Sequence, residues 1–232
     1  MKHAVEIILC LALLMGCQAS DIRGYWNTVP LLEGDISLSE DRFARFAELA
    51  AEAPEADALA ALDVLFDRLK QDTVACYVYS EWVDGAFYSL LSPCRNAALY
   101  SRSVDRMLSD AVLDRNDCEP FLKKRDWIQY NLPGAPATVP GYPAFTEPTL
   151  VLVLDLSCPS CRKALEQLSA DTRWAGVRRV AVCCGDGPHP AVPGWDYLFP
   201  EDANTVFDPH LTPIYFVVAA DGTVESGYTP AL

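Results

Sequence analysis

One stretch limits what this chain can fold into more than any other: an apolar run that leads directly into two cysteines. Leu150 to Leu154 are branched apolar residues without interruption, a pattern typical of a central strand that is covered on both faces. Pro159 suits the first position of a helix, and apolar residues recur at helical spacing from Arg162 to Leu168. The stretch therefore predicts a buried strand, followed by a helix that begins at Ser157 or Cys158.

Cys158 and Cys161 form a CxxC pair at the start of this predicted helix. A thiol at a helix N-terminus faces unpaired backbone N–H groups and the positive end of the helix dipole, which favours the thiolate. Cys161 lies one turn further along and is expected to point inward. This arrangement predicts that Cys158 attacks a disulfide and that Cys161 resolves the product. The alternatives for the same pair are a structural disulfide and half of a zinc site.

Metal binding is the main chemical alternative to redox chemistry. Cys183 and Cys184 end the next predicted strand, and His189 and His210 lie in loops within reach of the same region. Thiolate and imidazole ligands together suit zinc or copper. However, neither a second CxxC nor an HxxxH completes a known ligand spacing. The sequence therefore predicts no metal, and no cofactor besides the redox-active disulfide of the CxxC pair itself.

The N-terminus has the pattern of an exported lipoprotein. Residues 1–16 predict a signal peptide, because basic residues precede a short apolar stretch from Ile7 to Met15. Leu14-Met15-Gly16-Cys17 resembles the lipobox, in which the cysteine is acylated on its thiol and becomes the first residue of the mature chain. The alternative is an ordinary signal peptide followed by an incidental cysteine. We expect Cys17 to carry the lipid and to anchor the chain to a membrane.

Charge and cysteine content narrow the compartment and the partners. Eighteen basic residues against 32 acidic ones give a net charge of -14, which disfavours nonspecific nucleic-acid binding. Nine cysteines in 232 residues fit an oxidising compartment better than a cytosol. Charge therefore predicts no nucleic-acid partner, and cysteine content predicts an exported protein.

The mature chain divides into a tether and two domains. Residues 17–38 lack sustained periodicity and predict a lipidated tether, in which Tyr25 and Trp26 are candidates to dock onto the domain. Residues 39–131 predict an all-α domain, a small antiparallel bundle of amphipathic helices with helix starts at Ser39, Asn96 and Asp117. This bundle is followed by an α/β domain, so the fold class is a helical bundle joined to an α/β unit.

Two more helices are predicted inside the bundle, from Glu55 to Gln71 and from Thr73 to Leu91. The second of these is rich in aromatic and β-branched residues, so a strand is the alternative, but its length favours a helix. Cys76, Cys94 and Cys118 lie in this half of the chain, where one stabilising disulfide is expected.

Residues 132–232 predict the α/β domain that carries the CxxC pair. The segment 131–148 contains five prolines and two glycines, which fits a domain boundary or an irregular hairpin. Three further elements are predicted: a strand from Val177 to Cys183, a short helix within Trp195 to Asn204, and a β-hairpin from Leu211 to Glu225 that turns at Asp221-Gly222.

Taken together, these features resemble the thioredoxin-like proteins, over roughly residues 132–228. The resemblance rests on the CxxC motif after a buried strand and, about fifty residues later, on Thr212-Pro213 opening an apolar strand that turns at a DG pair. Within this family the chain is most similar to the exported, membrane-tethered thiol-disulfide oxidoreductases of the TlpA and ResA type.

The resemblance implies a role for each motif residue. Cys158 would be the nucleophile, Cys161 the resolving thiol, and Pro213 a cis-proline that faces them. The backbone at Thr212 would pair with an extended substrate segment, a contact that selects little by side chain. The implied activity is thiol-disulfide exchange on exported proteins, in the direction of reduction, with an unidentified redox partner.

The helical half carries a resemblance of its own. SPCRNAALY at 92–100 and PGAPA at 133–137 resemble an uncharacterised domain that precedes thioredoxin-like domains in lipoproteins of gut-type Gram-negative bacteria. Gln18, rather than an aspartate, follows Cys17, so retention in the inner membrane is not signalled. Together these features imply an anchor in the outer membrane of a Gram-negative cell envelope, with the side that it faces left open.

The chain departs from the family's pattern in three ways. Ser157 stands where a tryptophan usually precedes the first cysteine, and Leu152 stands where a buried acid is expected. Asp155, Glu201 and Asp202 are the acids considered in its place. No final helix is predicted after the hairpin, so the N-terminal helices are the candidates to cover one face of the sheet. These departures support one alternative, a non-catalytic binding module, whereas the alternative of a thiolate metal carrier rests on the cysteine and histidine residues named above.

Overall fold

The computed structural model describes residues 22–32, 34–110, 113–185, 187 and 192–231. The predicted signal peptide, the predicted lipid attachment at Cys17 and the candidate ligand His189 fall outside these residues. Helices fill the first half of the described chain, and strands and helices share the second half. Nowhere in that described chain does a helix combine the length and the apolar composition that crossing a bilayer requires.

The helical domain is built from helices whose starts are mostly capped by side chains. Its elements are α1 (Tyr25–Thr28), α2 (Ile36–Glu52), α3 (Glu55–Leu69), α4 (Thr73–Val83), α5 (Ala97–Ser109) and α6 (Arg115–Ile128). Four residues that precede a helix accept a hydrogen bond from a backbone N–H of its first turn: Asp35, Asp72, Asn96 and Asp114. Each of these bonds satisfies a donor that the helix leaves unpaired, and the start predicted at Asn96 is confirmed.

Two other predicted helix starts come too late. α2 begins at Ile36 rather than at Ser39, because the preceding aspartate caps it and Ser39 is buried inside the helix. α6 begins at Arg115 rather than at Asp117, again because the preceding aspartate caps it. In both cases an earlier carboxylate satisfies the first N–H groups, so the helix gains residues at its N-terminus.

The predicted tether, residues 17–38, is helical from Ile22 to Thr28, and the predicted docking of Tyr25 and Trp26 onto the domain is confirmed. A short 3₁₀ turn and α1 pack on the bundle, and Trp26 is fully buried in its core. Arg68 of α3 donates hydrogen bonds to the backbone carbonyls of Trp26 and Val29. These contacts hold the segment against the bundle. Burial of the indole and the hydrogen bonds of the guanidinium offset the conformational entropy that the segment loses.

The helix predicted from Thr73 to Leu91 is confirmed over its first part only. After α4 the chain continues in a π-turn over Asp84–Tyr88. The Ser89 N–H donates to the Asp84 carbonyl at 3.1 Å, which closes this wider turn. The turn carries Tyr88 into a buried position at the edge of the helical domain.

The α/β domain is a mixed five-stranded sheet with its longest helix after the first strand. Its elements are β1 (Thr149–Asp155), α7 (Pro159–Ala170), β2 (Arg178–Cys184), β3 (Asp196–Leu198), α8 (Ala203–Val206), β4 (Ile214–Val218) and β5 (Val224–Pro230). The strand order is β3-β2-β1-β4-β5. β1, β2 and β3 run parallel, whereas β4 is antiparallel to β1 and to β5. The predicted central strand and the helix that follows it are confirmed.

The side chains of β1 alternate between two hydrophobic cores. Leu150, Leu152 and Leu154 point to the face that α7 covers, which we call the leucine face. Val151 and Val153 point to the opposite face, which α8 covers and which we call the valine face. An apolar run without interruption is therefore explained by burial on both faces, as the sequence predicted.

Two predictions for the C-terminal part have different outcomes. The region from Trp195 to Asn204, predicted as a short helix, contains β3 and only the beginning of α8. The hairpin between β4 and β5 turns at Asp221-Gly222 as predicted, and Gly222 adopts a φ of 86°, which favours glycine.

The helical domain packs against the valine face. Leu90 and Tyr130 of the helical domain contact the core of that face. On the leucine face Tyr215 and Val217 of β4 stay only partly buried, and no helix follows β5 within the described residues. The predicted cover by the N-terminal helices is therefore found on the side of the sheet opposite to the CxxC helix.

Candidate active site

The CxxC pair lies where β1 ends and α7 begins. β1 stops at Asp155, whose Oδ1 accepts hydrogen bonds from the backbone N–H and the hydroxyl of Ser157, each at 2.7 Å. Cys158 has an extended backbone, with φ −84° and ψ 121°, and is the N-cap residue of α7. Pro159 occupies the first turn, where its missing N–H is not needed. The predicted helix start is confirmed, and Cys158 lies at the positive end of the helix dipole.

The Cys158 thiol is partly exposed and is stabilised as the thiolate. Its sulfur lies 3.0 Å from the hydroxyl oxygen of Ser160. That hydroxyl, together with the backbone N–H of Cys161, lowers the pKa of Cys158 below that of an ordinary thiol. An accessible sulfur that ionises readily is what attack on a disulfide requires.

Cys161 is fully buried one turn further along, on the leucine face. Burial raises the pKa of its thiol to about 11. Two neighbours act in the opposite sense: the Asp155 backbone N–H, which donates to the Cys161 sulfur at 3.3 Å, and the Thr212 side chain. Both thiols are free in this structure. The two cysteines thus have different tendencies to ionise, which suits attack by one and resolution by the other.

The predicted cis-proline lies beside this pair. The Thr212–Pro213 peptide bond is cis, and Pro213 is buried just before β4. Thr212 follows a 3₁₀ turn over Pro209–Leu211, and its hydroxyl donates to the Pro209 carbonyl at 2.9 Å. The start of β4 pairs with the end of β1, so the predicted site residues of the two segments come together at one end of the sheet.

The fold of this chain is similar to that of a protein of known structure. The crystal structure of a thioredoxin-like protein from Bacteroides caccae ATCC 43185 matches it with a TM-score of 0.68 and 15% sequence identity. This chain has a thioredoxin-like fold. The match covers 90% of this chain and 87% of that one, so it includes the helices as well as the sheet. No family model matches the sequence, and a search of curated proteins finds no match.

Leu152, which stands at the position of the expected buried acid, lies in the core of the α/β domain. Leu152 is fully buried on the leucine face, in the same core as Cys161, so a hydrocarbon side chain stands where an acid was expected. None of the three alternative acids donates to or accepts from Cys161 through its carboxyl group within the described chain. Asp155 uses its carboxylate for Ser157, and Glu201 and Asp202 are exposed in the loop before α8.

A cavity of about 490 Å³ opens at the ends of β1 and β2. Leu156, Phe199 and Glu201 line it, together with the neighbouring thiols Cys183 and Cys184. Burial raises the pKa of Cys183 to about 12 and, with the Asp155 carboxylate, that of Cys184 to about 11. These two thiols are therefore far less ready to ionise than Cys158.

The metal-binding alternative is not supported by the described residues. His210 lies in the turn before Thr212, whereas His189 is outside the described chain. Within the described ranges, no group of three or more histidine, cysteine, aspartate or glutamate side chains is arranged to hold a metal ion.

The cysteines of the helical half are all buried free thiols: Cys76, Cys94 and Cys118. The disulfide predicted for this half is therefore not formed in this structure. Burial raises the pKa of Cys76 to about 11, and the nearby Cys118 adds to the effect. Thiols in this state pack as small hydrophobic groups.

Three contributors to the site were not predicted from the sequence. Ser160 acts on the Cys158 thiol, and its position inside the CxxC motif was the available signal. The Asp155 backbone N–H donates a hydrogen bond to the Cys161 sulfur, and a backbone contact of this kind has no signature in the sequence. Asp208 caps the turn that leads into Thr212, and its signal was an aspartate directly before a proline.

Proposed function

We propose that this protein exchanges thiols and disulfides through Cys158 and Cys161 and acts as a reductase of exported proteins. One observation carries the proposal: Cys158 is accessible with a lowered pKa, whereas Cys161 is buried with a pKa raised to about 11. A purely structural disulfide does not require its two cysteines to differ in accessibility and pKa. The direction of electron flow rests on the resemblance to the TlpA and ResA type.

The proposed reaction begins when the Cys158 thiolate attacks one sulfur of a substrate disulfide. The substrate S–S bond breaks, a mixed disulfide to Cys158 forms, and the departing substrate sulfur takes up a proton. Cys161 then loses its proton and attacks the Cys158 sulfur, which releases the second substrate thiol. The substrate has gained two electrons and two protons, and the protein holds the disulfide of the pair. An external dithiol reductant must restore the two thiols.

Thr212 is the proposed substrate-binding residue. It is partly exposed, and its side chain acts to lower the pKa of Cys161 against the stronger effect of burial. An extended polypeptide that pairs with its backbone would bring its disulfide close to Cys158. Because main-chain pairing distinguishes little between side chains, we expect several exported proteins to be substrates.

Insulin reduction tests the proposal. Wild-type protein should accelerate the reduction of insulin disulfides by dithiothreitol, and Cys158→Ser should abolish the acceleration, because it removes the attacking thiolate. Cys94→Ser, which removes a buried thiol of the helical domain, should retain it. Wild-type protein that accelerates neither insulin reduction nor the oxidation of dithiols would contradict the proposal.

One observation favours a second candidate, a thioredoxin-like module that binds partners without catalysis. With Leu152 in place of an acid, no carboxyl group is hydrogen-bonded to Cys161 within the described chain. In that case the CxxC pair would resist both reduction and alkylation, and the insulin assay would show no acceleration by the wild-type protein.

Membrane anchoring through Cys17 remains part of the proposal. The lipobox-like sequence, Leu14 to Cys17, supports acylation of the Cys17 thiol and attachment to the envelope of a Gram-negative bacterium, with the outer membrane as the expected site. In its host, the wild-type protein should incorporate a labelled fatty acid, and Cys17→Ser should not. Equal labelling of the two proteins, or no labelling of either, would contradict the lipid anchor while leaving the redox proposal intact.

A further inference from the structure

The segment that leads into Thr212 is fastened to the helical domain at several points. At its start, the indole N–H of Trp127 in α6 donates to the Asn204 carbonyl of α8 at 2.8 Å. At its end, Leu211 packs against the core of the helical domain as well as against the valine face. The helical domain therefore contacts both ends of a short segment whose next residue is the proposed substrate-binding position.

The strongest of these attachments joins Tyr88 to Asp208. The Tyr88 hydroxyl donates to Asp208 Oδ2 at 2.7 Å, and both residues are only 3% exposed. The other carboxylate oxygen, Oδ1, accepts the backbone N–H of His210 at 2.9 Å. One buried carboxylate thus links a tyrosine of the helical domain to the backbone of the turn.

From this turn the contacts continue to the CxxC pair. The Leu211 N–H donates to the Asp208 carbonyl at 3.2 Å, and the Thr212 hydroxyl donates to the Pro209 carbonyl at 2.9 Å. Two residues further on, Ile214 at the start of β4 pairs with Val153, near the end of β1 that leads into the CxxC pair. A displacement of Asp208 would therefore move the backbone that the substrate is proposed to pair with.

The surroundings of Tyr88 hold its ring in place. The guanidinium of Arg95 lies 5.7 Å and the ammonium of Lys124 lies 5.4 Å from the ring centroid. The Arg95 Nε also donates to the Tyr88 carbonyl at 3.1 Å. Burial, together with the bond to Asp208, raises the pKa of Tyr88, so its hydroxyl remains a donor at neutral pH.

We propose that Tyr88 is a positioning residue, through which the helical domain holds the turn before Thr212 in the geometry that binds an extended substrate. The inference rests on the proposed thiol-disulfide exchange and assigns a task to the helical domain within it. Tyr88 acts on the turn through Asp208 and does not touch the reacting sulfurs, so its removal affects substrate binding and not the ionisation of Cys158.

Tyr88→Phe tests this role in the full chain, because it removes only the hydroxyl. Tyr100→Phe is the matched control: Tyr100 is fully buried 5.1 Å from Tyr88 between ring centroids, and its hydroxyl donates to the Asp84 carboxylate within the helical domain at 2.9 Å. We expect Tyr88→Phe to raise the KM for insulin about tenfold, since small displacements at a binding site have large effects. The rate of Cys158 alkylation by iodoacetamide should stay within about twofold of wild type.

Two outcomes would overturn the inference: an unchanged KM in Tyr88→Phe, or the same rise in both tyrosine variants. If Tyr88→Phe does not fold, Trp127→Phe replaces it, since that change removes the bond to Asn204 from a partly exposed side chain. An unchanged KM in that variant would overturn the inference as well.

Hydrogen exchange separates this inference from the proposed function. In Tyr88→Phe, but not in Tyr100→Phe, the backbone amides of His210, Leu211 and Thr212 should exchange faster than in wild type. Wild-type protein without insulin-reducing activity contradicts the proposed function, whereas equal exchange in the two variants contradicts the positioning role of Tyr88.

Discussion

The Asp155 backbone nitrogen lies 3.3 Å from the Cys161 sulfur, so the last residue of β1 donates a hydrogen bond to the buried thiol of the CxxC pair. This donor stabilises a Cys161 thiolate without placing a charge in the hydrophobic core. Burial acts more strongly and raises the pKa of Cys161 to about 11. The strand end therefore eases a brief ionisation of Cys161 during resolution, while the core keeps the thiol protonated at rest.

Ser160→Ala should raise the pKa of Cys158. The Ser160 hydroxyl is 3.0 Å from the Cys158 sulfur and is the largest of the causes that lower its pKa. The rate of iodoacetamide alkylation as a function of pH reports the thiolate fraction, and its midpoint should move to higher pH in this variant. Ser160→Thr keeps the hydroxyl and should retain the wild-type midpoint. An unchanged midpoint in Ser160→Ala would show that another group stabilises the thiolate.

Cys158 should be the fastest-reacting thiol of the reduced, folded protein. It is the described cysteine that is not buried, and its pKa is lowered, whereas the pKa of Cys161 is raised to about 11. We expect alkylation of Cys158 at neutral pH to be roughly a hundred times faster than that of Cys161. Mass spectrometry of quenched samples identifies the modified residues. Equal rates at the two positions would speak against their division of roles.

Gly187→Ala should destabilise the protein. A Cβ at this position would lie 2.5 Å from the Leu156 Cβ and 2.8 Å from the Leu156 carbonyl carbon, too close for either to remain in place. We expect a loss of about 1–3 kcal/mol in the free energy of unfolding, measured in urea. Gly85→Ala meets no atom within 4 Å and serves as the control. Equal stability of the two variants would mean that the loop moves away without loss.

Arg106→Met should destabilise the helical domain much more than a surface change does. Only 12% of the Arg106 side chain is exposed, and its guanidinium contacts three carboxylates at 2.7–2.9 Å, those of Asp63, Asp67 and Asp110. Removing it leaves the Asp110 carboxylate without its guanidinium partner, whereas Asp63 keeps Arg102 and Asp67 keeps Lys70. We therefore expect a loss of about 1–3 kcal/mol in urea unfolding. Arg45→Met breaks only an exposed pair and should cost less than about 0.5 kcal/mol. Similar losses in the two variants would contradict this account.

The sequence predicted the core of the α/β domain well, because the evidence there is local. Three features determine the backbone conformation of the residues next to them: the apolar run of β1, the proline after Cys158 and the glycine of the β-hairpin. Strand, helix start and turn followed from these residues without knowledge of the tertiary structure.

The predictions failed where contacts between residues far apart in the sequence determine the local structure. Residues 22–28 of the predicted tether form helical turns on the bundle, because the partners of Trp26 lie on other helices. The helix predicted to run to Leu91 gives way to a π-turn at Asp84, whose carboxylate also binds Tyr100 and Lys124. The contact between Tyr88 and Asp208 spans 120 residues, and no local pattern indicates a pair of that separation.

Trapping of the mixed disulfide tests the central claim most directly. After incubation with native insulin, whose disulfides are intact, Cys161→Ser should retain a covalent insulin chain on Cys158. This adduct is visible as a mass shift that dithiothreitol removes. Cys158→Ser, which keeps only the buried thiol of the pair, should retain none. An adduct that forms in Cys161→Ser alone is the result that we predict. No adduct in either variant, or equal adducts in both, would contradict attack by Cys158.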